Sequence, residues 1–380
     1  MKRLHQANPL SILDNNYLFL AGYKDGTSED KKITIENVKN SIPLQNDIIN
    51  GNFIIWQRNN IFTNVVNGAY TADRFYYIKN GGMVHTVQRV LNPVLNFQYG
   101  LKALVTTPKL NLGNIDYSGI GHIIEGYNIK KYKNNYCTLG FWVSSSKTGT
   151  HCVSFQDITR NISYVTEYTI NAINVWEYKT ITFIFNPTLP LNDTNDVGIR
   201  INWSMGAGAS YQSLVKDVWV SGTCFATSNQ VNLNQTSDFL HLAGVSFNLG
   251  KIPVKNCDTD YYKILSACQR YYEKSYNTNV YPGTVTNNGA VVASHSRAGL
   301  YLIMQKAFMV EKRTTPTMKW YSNSSGTIDR VYNNTNAVDI TINTTLFQGT
   351  HSTGIPIAAT SQPVDIILSA FYTADAELTP

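Results

Sequence analysis

The residue types that carry most enzyme chemistry occur in this chain of 380 residues, but none of them stands in a catalytic spacing. No serine forms a nucleophile elbow, and no glycine-rich loop is suited to cradling a phosphate. The seven histidines are scattered, and the His-x-x-x-His and Cys-x-x-Cys spacings of metal sites are absent. His295 and His351 are predicted to be surface or satisfied interior residues. We therefore predict no cofactor and no metal ion.

Paired carboxylates are a second route to catalysis, because glycan-cleaving enzymes need two of them facing one groove. Asp157, Glu167, Asp193 and Asp196 lie in or near predicted turns, and their spacing indicates no such pair. The sequence therefore favours a protein that is not an enzyme. The loop from Asp193 to Asp196 has the oxygens to bind a calcium ion, but a plain turn is the favoured interpretation.

Aromatic rings beside amides and hydroxyls are the feature that points to recognition. Tyrosine and tryptophan offer a flat apolar face, which stacks on a sugar ring while neighbouring amides bind its hydroxyl groups. Tyr276, Tyr281, Trp320 and Asn323 combine these residue types and are predicted to bind glycan. The competing interpretation is that these rings belong to the protein core, as aromatic residues in strands usually do.

The composition predicts a folded protein with a polar but weakly charged surface. Hydrophobic residues make up 43% of the chain and charged residues only 15%. A chain of this length is expected to form two sizeable domains and a small appendage. The formal net charge of +6 is spread without long basic runs, so no nucleic-acid partner is predicted. No stretch approaches about 18 uninterrupted apolar residues, so no membrane insertion is predicted.

The cysteines are predicted to be small buried residues of a protein that is assembled in a reducing cytosol. There are five of them, an odd number without a Cys-x-x-Cys pair, which does not suggest a disulfide framework. They are Cys137, Cys152, Cys224, Cys257 and Cys268. The N-terminal segment is not expected to act as a signal peptide, because Asp14, Asn15 and Asn16 interrupt its apolar residues.

Residues 46–254 are predicted to form an antiparallel sandwich of jelly-roll type. Short runs rich in β-branched and aromatic residues alternate there with Gly, Asn, Asp and Pro clusters, without an amphipathic helix of useful length. The predicted strands are 53–56, 74–78, 101–106, 121–129, 138–143, 152–155, 164–170, 177–185, 198–203, 215–220 and 239–249.

A change of period after Pro253 marks the predicted seam between this sandwich and a second β domain. The apolar residues that recur at helical spacing are Tyr261, Leu265, Cys268 and Tyr272. They predict a helix over 260–276 with one buried face, capped by Asp258. Residues 255–380 are accordingly predicted to form a short helix and a C-terminal β domain. Its strand signals are 291–295, 300–304, 317–321, 338–342 and 364–371.

Residues 1–45 are predicted to form a small separate unit. It contains a strand over 17–23, a turn at Asp25-Gly26, a second strand over 32–35 and a short helix from Glu36. So small a unit buries little surface alone. It is therefore expected either to attach the protein to a partner or to dock on its own chain.

Seven segments carry a resemblance to a known family. They are NGNFIIWQRNN (50–60), YTADRFYYI (70–78), IEGYNI (124–129), LGFWVSSSKTGTHCVSF (139–155), AGVSFNLG (243–250), SACQRYYEKSY (266–276) and FYTADAEL (371–378). They resemble bacteriophage tail-fibre and head-fibre proteins with a carbohydrate-binding-module-like jelly roll. The match is to structural and adhesive modules rather than to a catalytic motif.

The resemblance implies a structural fibre protein of a bacteriophage virion, assembled in the cytoplasm of the host bacterium. Its N-terminal unit would attach to tail or capsid proteins of the virion, and its C-terminal domain would form a homotrimer and bind a host cell-surface glycan. Specificity is expected in residues 277–380, where polar loops join short strands. Two alternatives stay open: a virion-associated polysaccharide-degrading enzyme, and a capsid decoration protein with an assembly role only.

Overall fold

A computed structural model shows a mainly β protein. The described residues are 17–24, 27–34, 45–94, 96–187, 191–254, 260–296 and 298–380. By its internal contacts the chain divides into two compact units, residues 1–45 and residues 46–380.

The first unit contains an antiparallel hairpin. Strand β1 (Tyr17–Lys24) pairs with strand β2 (Thr27–Thr34), in a register that runs from Tyr17 opposite Thr34 to Lys24 opposite Thr27. The hairpin matches the predicted pair of strands, although β2 begins earlier than the sequence indicated. The predicted turn at Asp25-Gly26 and the helix from Glu36 lie outside the described residues.

The second unit begins with a β-sandwich. Its strands are β3 (Ile61–Phe62), β4 (Phe75–Asn80), β5 (Val84–Val94), β6 (Phe97–Thr107), β7 (Tyr117–Glu125), β8 (Asn135–Ser145), β9 (Gly149–Asp157), β10 (Ile162–Ile170), β11 (Glu177–Phe185), β12 (Val197–Ala207), β13 (Gln212–Ser213), β14 (Trp219–Ser221), β15 (Ala226–Thr227) and β16 (Phe239–Leu249). The helix α1 (Gly126–Ile129) is a single turn between β7 and β8.

Two six-stranded antiparallel sheets form the sandwich. The strand order is β14-β10-β9-β12-β7-β4 in the first sheet and β11-β8-β16-β6-β5-β3 in the second. The inward-facing residues of both sheets make one core, to which β8 contributes Cys137, Leu139, Phe141 and Val143. Because successive side chains of a strand point to opposite faces, the residues between these four lie on the outer face of the second sheet. The predicted antiparallel jelly-roll sandwich is confirmed.

The outer face of the first sheet is covered by other parts of the same unit. Phe225, Tyr271 and Leu378 pack there against Tyr76 and Ile123 of the sheet. Side chains from three distant parts of the sequence therefore close this face.

The chain then forms a short helix and a second set of strands, as predicted. These are α2 (Tyr261–Gln269), β17 (Tyr272–Lys274), β18 (Val291–His295), β19 (Gly299–Tyr301), β20 (Thr317–Tyr321), β21 (Arg330–Asn333), β22 (Val338–Leu346), β23 (Ile355–Gln362) and β24 (Ile366–Asp375). Strand β24 pairs with β17, β18, β20 and β21, all antiparallel. It is the strand around which this domain forms its own core, with Trp320 and Leu368 at its centre.

The predicted helix over 260–276 is too long. The helix α2 ends at Gln269, and Tyr272 lies in β17 opposite Asp375 of β24 rather than on the helix face. Asp258 lies outside the described residues, and the cap is Asp260, whose side chain accepts hydrogen bonds from the next backbone amides. The buried helix face is formed by Ile264 and Cys268.

Three predicted strands of the sandwich also differ from the structure. The predicted strand over 121–129 ends at Glu125, because Gly126–Ile129 form α1. Residues 53–56 are irregular, because Phe53 takes a left-handed backbone conformation with φ of 56°. The strand predicted over 215–220 is the three-residue strand Trp219–Ser221 in the structure, and Leu214 and Val215 before it are exposed.

The four cysteines in the described part of the chain are buried and free, at positions 137, 152, 224 and 268. Cys257 lies outside the described residues. Among the described helices, none is long and apolar enough to cross a membrane.

Candidate functional site

Three of the four predicted glycan-binding residues lie inside the C-terminal β domain. The Tyr276 ring stacks on Phe371 with centroids 3.8 Å apart. Trp320 is only 1% exposed and belongs to the core around β24. Asn323 is buried, and its Nδ2 donates to Asn287 Oδ1 at 2.6 Å. In this fold the three side chains are buried against other parts of the chain.

Tyr281 differs from the other three predicted residues. Its side chain is half-buried and lines a cavity between the sandwich and the C-terminal domain. Tyr99 of β6 and Tyr261 of α2 line the same cavity. Tyr281 therefore stays a candidate for ligand contact.

The four carboxylates that the sequence offered for catalysis are held apart by separate partners. Asp157 pairs with Arg160 at 2.9 Å, Glu167 with Lys216 at 2.7 Å and Asp193 with Lys130 at 3.1 Å, while Asp196 Oδ1 accepts from the Val197 amide at 2.8 Å. Burial alone would raise the pKa of Glu167, but hydrogen bonds from Lys216, Thr227 and Asn229 lower it. A general acid needs the opposite shift.

The loop from Asp193 to Asp196 has the internal bonds of a turn. Asn192 Oδ1 accepts from both the backbone amide and the hydroxyl of Thr194, at 3.2 and 2.9 Å. The Asn195 side chain donates instead to the Arg313 carbonyl at 2.8 Å. Among the described residues, no group of three or more His, Cys, Asp or Glu side chains is placed to bind a metal ion.

The conspicuous charged cluster joins the two ends of the second unit. We call it the clamp, and it consists of Arg58, Asp73, Arg74, Asp375 and Glu377. Arg58 Nη2 lies 3.2 Å from Asp375 Oδ2 and 3.4 Å from Glu377 Oε1. Arg74 Nη1 pairs with Glu377 Oε2. Burial alone would lower the pKa of Arg74, but the facing Glu377 carboxylate raises it above its ordinary value.

Two tyrosines complete the clamp by stacking on its arginines. The Arg58 guanidinium lies 3.6 Å from the centroid of the Tyr272 ring, and that of Arg74 lies 3.5 Å from the Tyr271 ring. Gln57 extends the contact, because its Nε2 donates to the Tyr272 carbonyl at 2.8 Å. Arg74 is held in a left-handed backbone conformation with φ of 71°, a strain that the surrounding contacts must outweigh.

The residues after α2 make two further charge contacts, one partly buried and one fully buried. Arg270 Nη2 lies 2.7 Å from Glu125 Oε1, and Tyr271 donates to the other oxygen of Glu125 at 2.5 Å. Lys312 Nζ lies 2.7 Å from Glu273 Oε2, with both side chains buried. The segments 50–60, 70–78, 124–129, 266–276 and 371–378, which carry the family resemblance, thus meet at one structural junction.

A different surface brings rings together without committing them to the core. It lies on the outer face of the second sheet, and we call it the aromatic face. Its side chains are Trp142 of β8, Tyr178 of β11, Phe239 and His241 of β16, Trp176 just before β11, and Lys102 of β6. All six are only half-buried in the single chain.

The strand register explains why these rings are neighbours. Tyr178 lies opposite Trp142, with ring centroids 5.3 Å apart. His241 lies opposite Lys102 and stacks between Trp176, at 5.5 Å, and Phe239, at 4.4 Å. The aromatic rings therefore span three adjacent strands of one sheet.

The electrostatics of the aromatic face are those of a neutral to weakly positive surface. Burial, with a contribution from Lys102, lowers the pKa of His241 to about 3, so its imidazole is neutral at pH 7. Lys102 Nζ lies 4.6 Å from the centroid of the Phe239 ring. Among the described residues, the outward-facing positions of β5, β6, β8, β11 and β16 carry no Asp or Glu.

A glycine lets one ring of this face lie flat on the sheet. The Tyr178 hydroxyl would lie 2.3 Å from a Cβ atom placed on Gly140. Any larger residue at Gly140 would therefore displace Tyr178. The sequence signal for the aromatic face was available in the alternation of β8, where Tyr136, Thr138, Gly140 and Trp142 stand between the core residues. This alternation does not by itself indicate a shared surface, which forms because β11 and β16 flank β8 in the second sheet.

Comparisons with known proteins give no family. No protein-family model matches the chain, and no curated protein matches it. Among solved structures, the enzymatically active domain of tailspike protein 4 from bacteriophage CBA120 is similar at 16% identity over 50% of this chain, with a TM-score of 0.30. The chain spans only 21% of that tailspike structure.

Carbohydrate-binding modules are similar to the same degree. A CBM4 module matches at 13% identity over 53% of this chain and 99% of its own, with a TM-score of 0.29. The family 11 module of a Clostridium thermocellum cellulase matches at 11% identity over 50% of this chain and 95% of its own, with a TM-score of 0.28. Likenesses this weak do not indicate a shared function.

Proposed function

We propose that this protein is a non-catalytic fibre protein of a bacteriophage virion whose jelly-roll sandwich binds a host-surface glycan on the aromatic face. The observation that carries the binding proposal is the geometry of that face. Trp142, Trp176 and Tyr178 stand within reach of one another on a single sheet surface, beside the cation of Lys102. Flat rings stack on the C–H face of a sugar, and the polar atoms between them bind its hydroxyl groups.

The same face supports a binding role over a catalytic one. Hydrolysis of a glycosidic bond needs two carboxyl groups on either side of the bond. The described outward-facing residues of the aromatic face offer none, and the charged groups of the clamp are ion-paired. A polymer held on this face would therefore be bound but not cut by the residues around it.

The clamp supports the structural part of the proposal. It fastens the C-terminal strand β24 to the start of the sandwich, so that residues 46–380 form one compact unit. We propose that this unit is presented by a homotrimer, that residues 1–45 attach it to the tail or capsid, and that its location is the virion. Three copies on one particle would multiply modest affinities for a repetitive surface polymer. We place glycan specificity in the sandwich rather than in the loops of residues 277–380, because the aromatic face belongs to the sandwich.

The experiment is a glycan array probed with the full chain and with the variant Trp142→Ala. Losing a stacking ring is expected to cost about 1 kcal/mol or more, which weakens binding about fivefold for each site and further for several sites together. The matched control is Tyr127→Ala, which removes an exposed tyrosine on α1 outside the aromatic face. Both variants should unfold cooperatively in urea, which shows that they are folded.

Three results would count against the proposal. Equal binding by Trp142→Ala and Tyr127→Ala would remove the aromatic face from the site. Release of reducing sugar from host capsule by the purified protein would favour the polysaccharide-degrading alternative. Absence of binding to any array glycan, with particles that still need the protein for assembly, would favour the capsid decoration alternative.

A further inference from the structure

A second candidate site lies in the cavity that Tyr281 lines. Its volume is about 330 Å³, near the lower end of the range of small-molecule sites, about 300–1,000 Å³. It is bounded by the β5–β6 end of the sandwich, by α2 and by the loop after β17. This size suits one or two sugar residues rather than a chain, which distinguishes the cavity from the aromatic face.

The walls of the cavity combine rings with exposed amides. Tyr99, Tyr261 and Tyr281 supply partly buried aromatic surface. The side chains of Gln98 and Asn279 are exposed at its rim, where their amides are available to hydroxyl groups. These groups come from the sandwich, the helix and the C-terminal domain, so the site exists only when the seam is assembled.

The charge in the cavity is positive. Arg89 is the charged residue among its lining side chains, and its guanidinium lies 4.5 Å from the centroid of the Tyr99 ring. No described carboxylate pairs with Arg89, whereas Arg58, Arg74 and Arg270 of the same unit all face carboxylates. A half-buried guanidinium that stacks on a ring keeps its planar edge for a carboxylate.

A buried lysine behind the cavity wall adds to this potential. Lys274 Nζ donates to the carbonyls of Thr278 and Val280, at 3.0 and 2.7 Å, and lies 5.5 Å from the centroid of the Tyr281 ring. It therefore fixes the loop that carries Tyr281 and places a cation next to that ring. The field of both cations favours an anionic ligand.

We propose that this cavity binds a carboxylate-bearing sugar residue, with its ring against the tyrosines, its hydroxyl groups on Gln98 and Asn279, and its carboxylate on Arg89. A hexuronic acid has all three features. The proposal rests on the proposed function only in taking a sugar as the class of ligand. The two sites are otherwise independent, because the cavity and the aromatic face share no residue. It assigns recognition of an acidic sugar to Arg89, a residue of the sandwich.

In the test, the full chain is titrated separately with glucuronic acid, glucose and acetate. Ligand-observed NMR measures the binding of each compound. Glucuronic acid and glucose differ in the carboxylate, and acetate supplies the carboxylate without the sugar. We expect glucuronic acid to bind about tenfold or more tightly than either, because only it makes both the charged and the ring contacts. Arg89→Gln should abolish the preference over glucose, and Arg89→Lys should retain part of it.

A second variant keeps the test decisive if Arg89→Gln fails to fold. Asn279→Ala changes an exposed loop side chain and should weaken the binding of glucuronic acid and of glucose by the same factor. Tyr127→Ala should leave glucuronic acid binding unchanged, since Tyr127 is an exposed residue of α1 outside both the cavity and the aromatic face. The proposal is overturned if glucose or acetate binds as tightly as glucuronic acid, or if Arg89→Gln retains the preference.

The outcomes also separate the two sites. If Trp142→Ala removes glucuronic acid binding and Asn279→Ala does not affect it, the acidic sugar lies on the aromatic face. The cavity proposal then fails while the proposed function stands. If Trp142→Ala changes neither glucuronic acid binding nor binding to the glycan array, the cavity proposal stands and the aromatic-face proposal fails.

Discussion

At the scale of single residues, the arginines of this protein differ in what faces them. Arg58 and Arg74 are buried against carboxylates, while Arg89 stacks on a tyrosine beside a cavity. A buried ion pair adds little net stability, because desolvation of both charges opposes their attraction. Removing one partner is costly, since it leaves the other charge buried and unpaired. The clamp is therefore sensitive to single substitutions.

The first prediction concerns Glu377, whose carboxylate contacts both clamp arginines. Glu377→Ala leaves Arg74 with its guanidinium buried and without this carboxylate. We expect the free energy of unfolding to fall by about 3–5 kcal/mol. Urea denaturation followed by tryptophan fluorescence measures the change.

The matched control for this prediction is Glu311→Ala. Glu311 also pairs with a basic side chain, His351, at 3.5 Å, but both side chains are largely exposed. Its removal should change the free energy of unfolding by no more than about 0.5 kcal/mol. A Glu377→Ala protein as stable as this control would show that the clamp does not hold the two ends of the unit together.

At the scale of elements, the helix α2 is short because its surroundings end it. Asp260 caps its first turn, with its side chain accepting from the Tyr262 and Lys263 amides at 3.1 and 3.3 Å. After Gln269, Arg270 pairs with Glu125 of the sandwich, and the following residues form β17, which pairs with β24. The helical spacing that continues to Tyr272 is therefore overridden by tertiary contacts.

The second prediction concerns the buried face of this helix. Ile264 is 6% exposed and packs in a cluster with Ile55 and Cys268. Ile264→Ala should lower the free energy of unfolding by about 2–4 kcal/mol, because it removes buried surface and leaves a cavity. The control is Tyr262→Ala on the opposite face, where the ring is 78% exposed. A similar loss in both variants would mean that the helix does not pack by this face.

At the scale of the whole molecule, buried histidines link stability to pH. Burial lowers the pKa of five of the histidines, which are His85, His122, His151, His241 and His295. The pKa falls to about 4 for His85 and to about 3 for His241. These side chains stay neutral in the folded state at pH values where the unfolded chain takes up protons, with an unfolded pKa of about 6.5.

The third prediction follows from the sign of these shifts. The free energy of unfolding should change little between pH 7 and pH 8 and should fall as the pH drops from about 6.5 toward 4. Each histidine within this window contributes up to about 1.4 kcal/mol per pH unit. Urea midpoints measured between pH 8 and pH 4.5 test this expectation. A midpoint that is constant from pH 7 to pH 5 would contradict it.

Local sequence was sufficient for most of the strands and for the class of fold. The strands β11, β16, β18 and β20 have the predicted bounds, because alternation between core and surface leaves a period of two in the residues themselves. The position of the helix at the seam was also predictable from its spacing. The irregular backbone at Phe53 was not, because the apolar run hides a turn in which the Phe53 amide donates to the Asn50 carbonyl at 2.9 Å and Phe53 takes a left-handed conformation.

Local sequence could not decide which aromatic residues are buried in a core and which stay on the surface. Tyr276 and Trp320 have the same residue types and neighbours that a glycan site would have, yet β24 packs against them and buries both. The rings of the aromatic face lie on β8, β11 and β16, which are far apart in sequence and adjacent only in the second sheet. Arg89 and Tyr281 meet at one cavity because the clamp and α2 hold the two β domains together. The pattern within one strand indicates which face of the sheet a side chain lies on. Strand order and domain packing decide which element covers that face. Both depend on contacts between residues that are far apart in sequence, by hundreds of positions in the clamp.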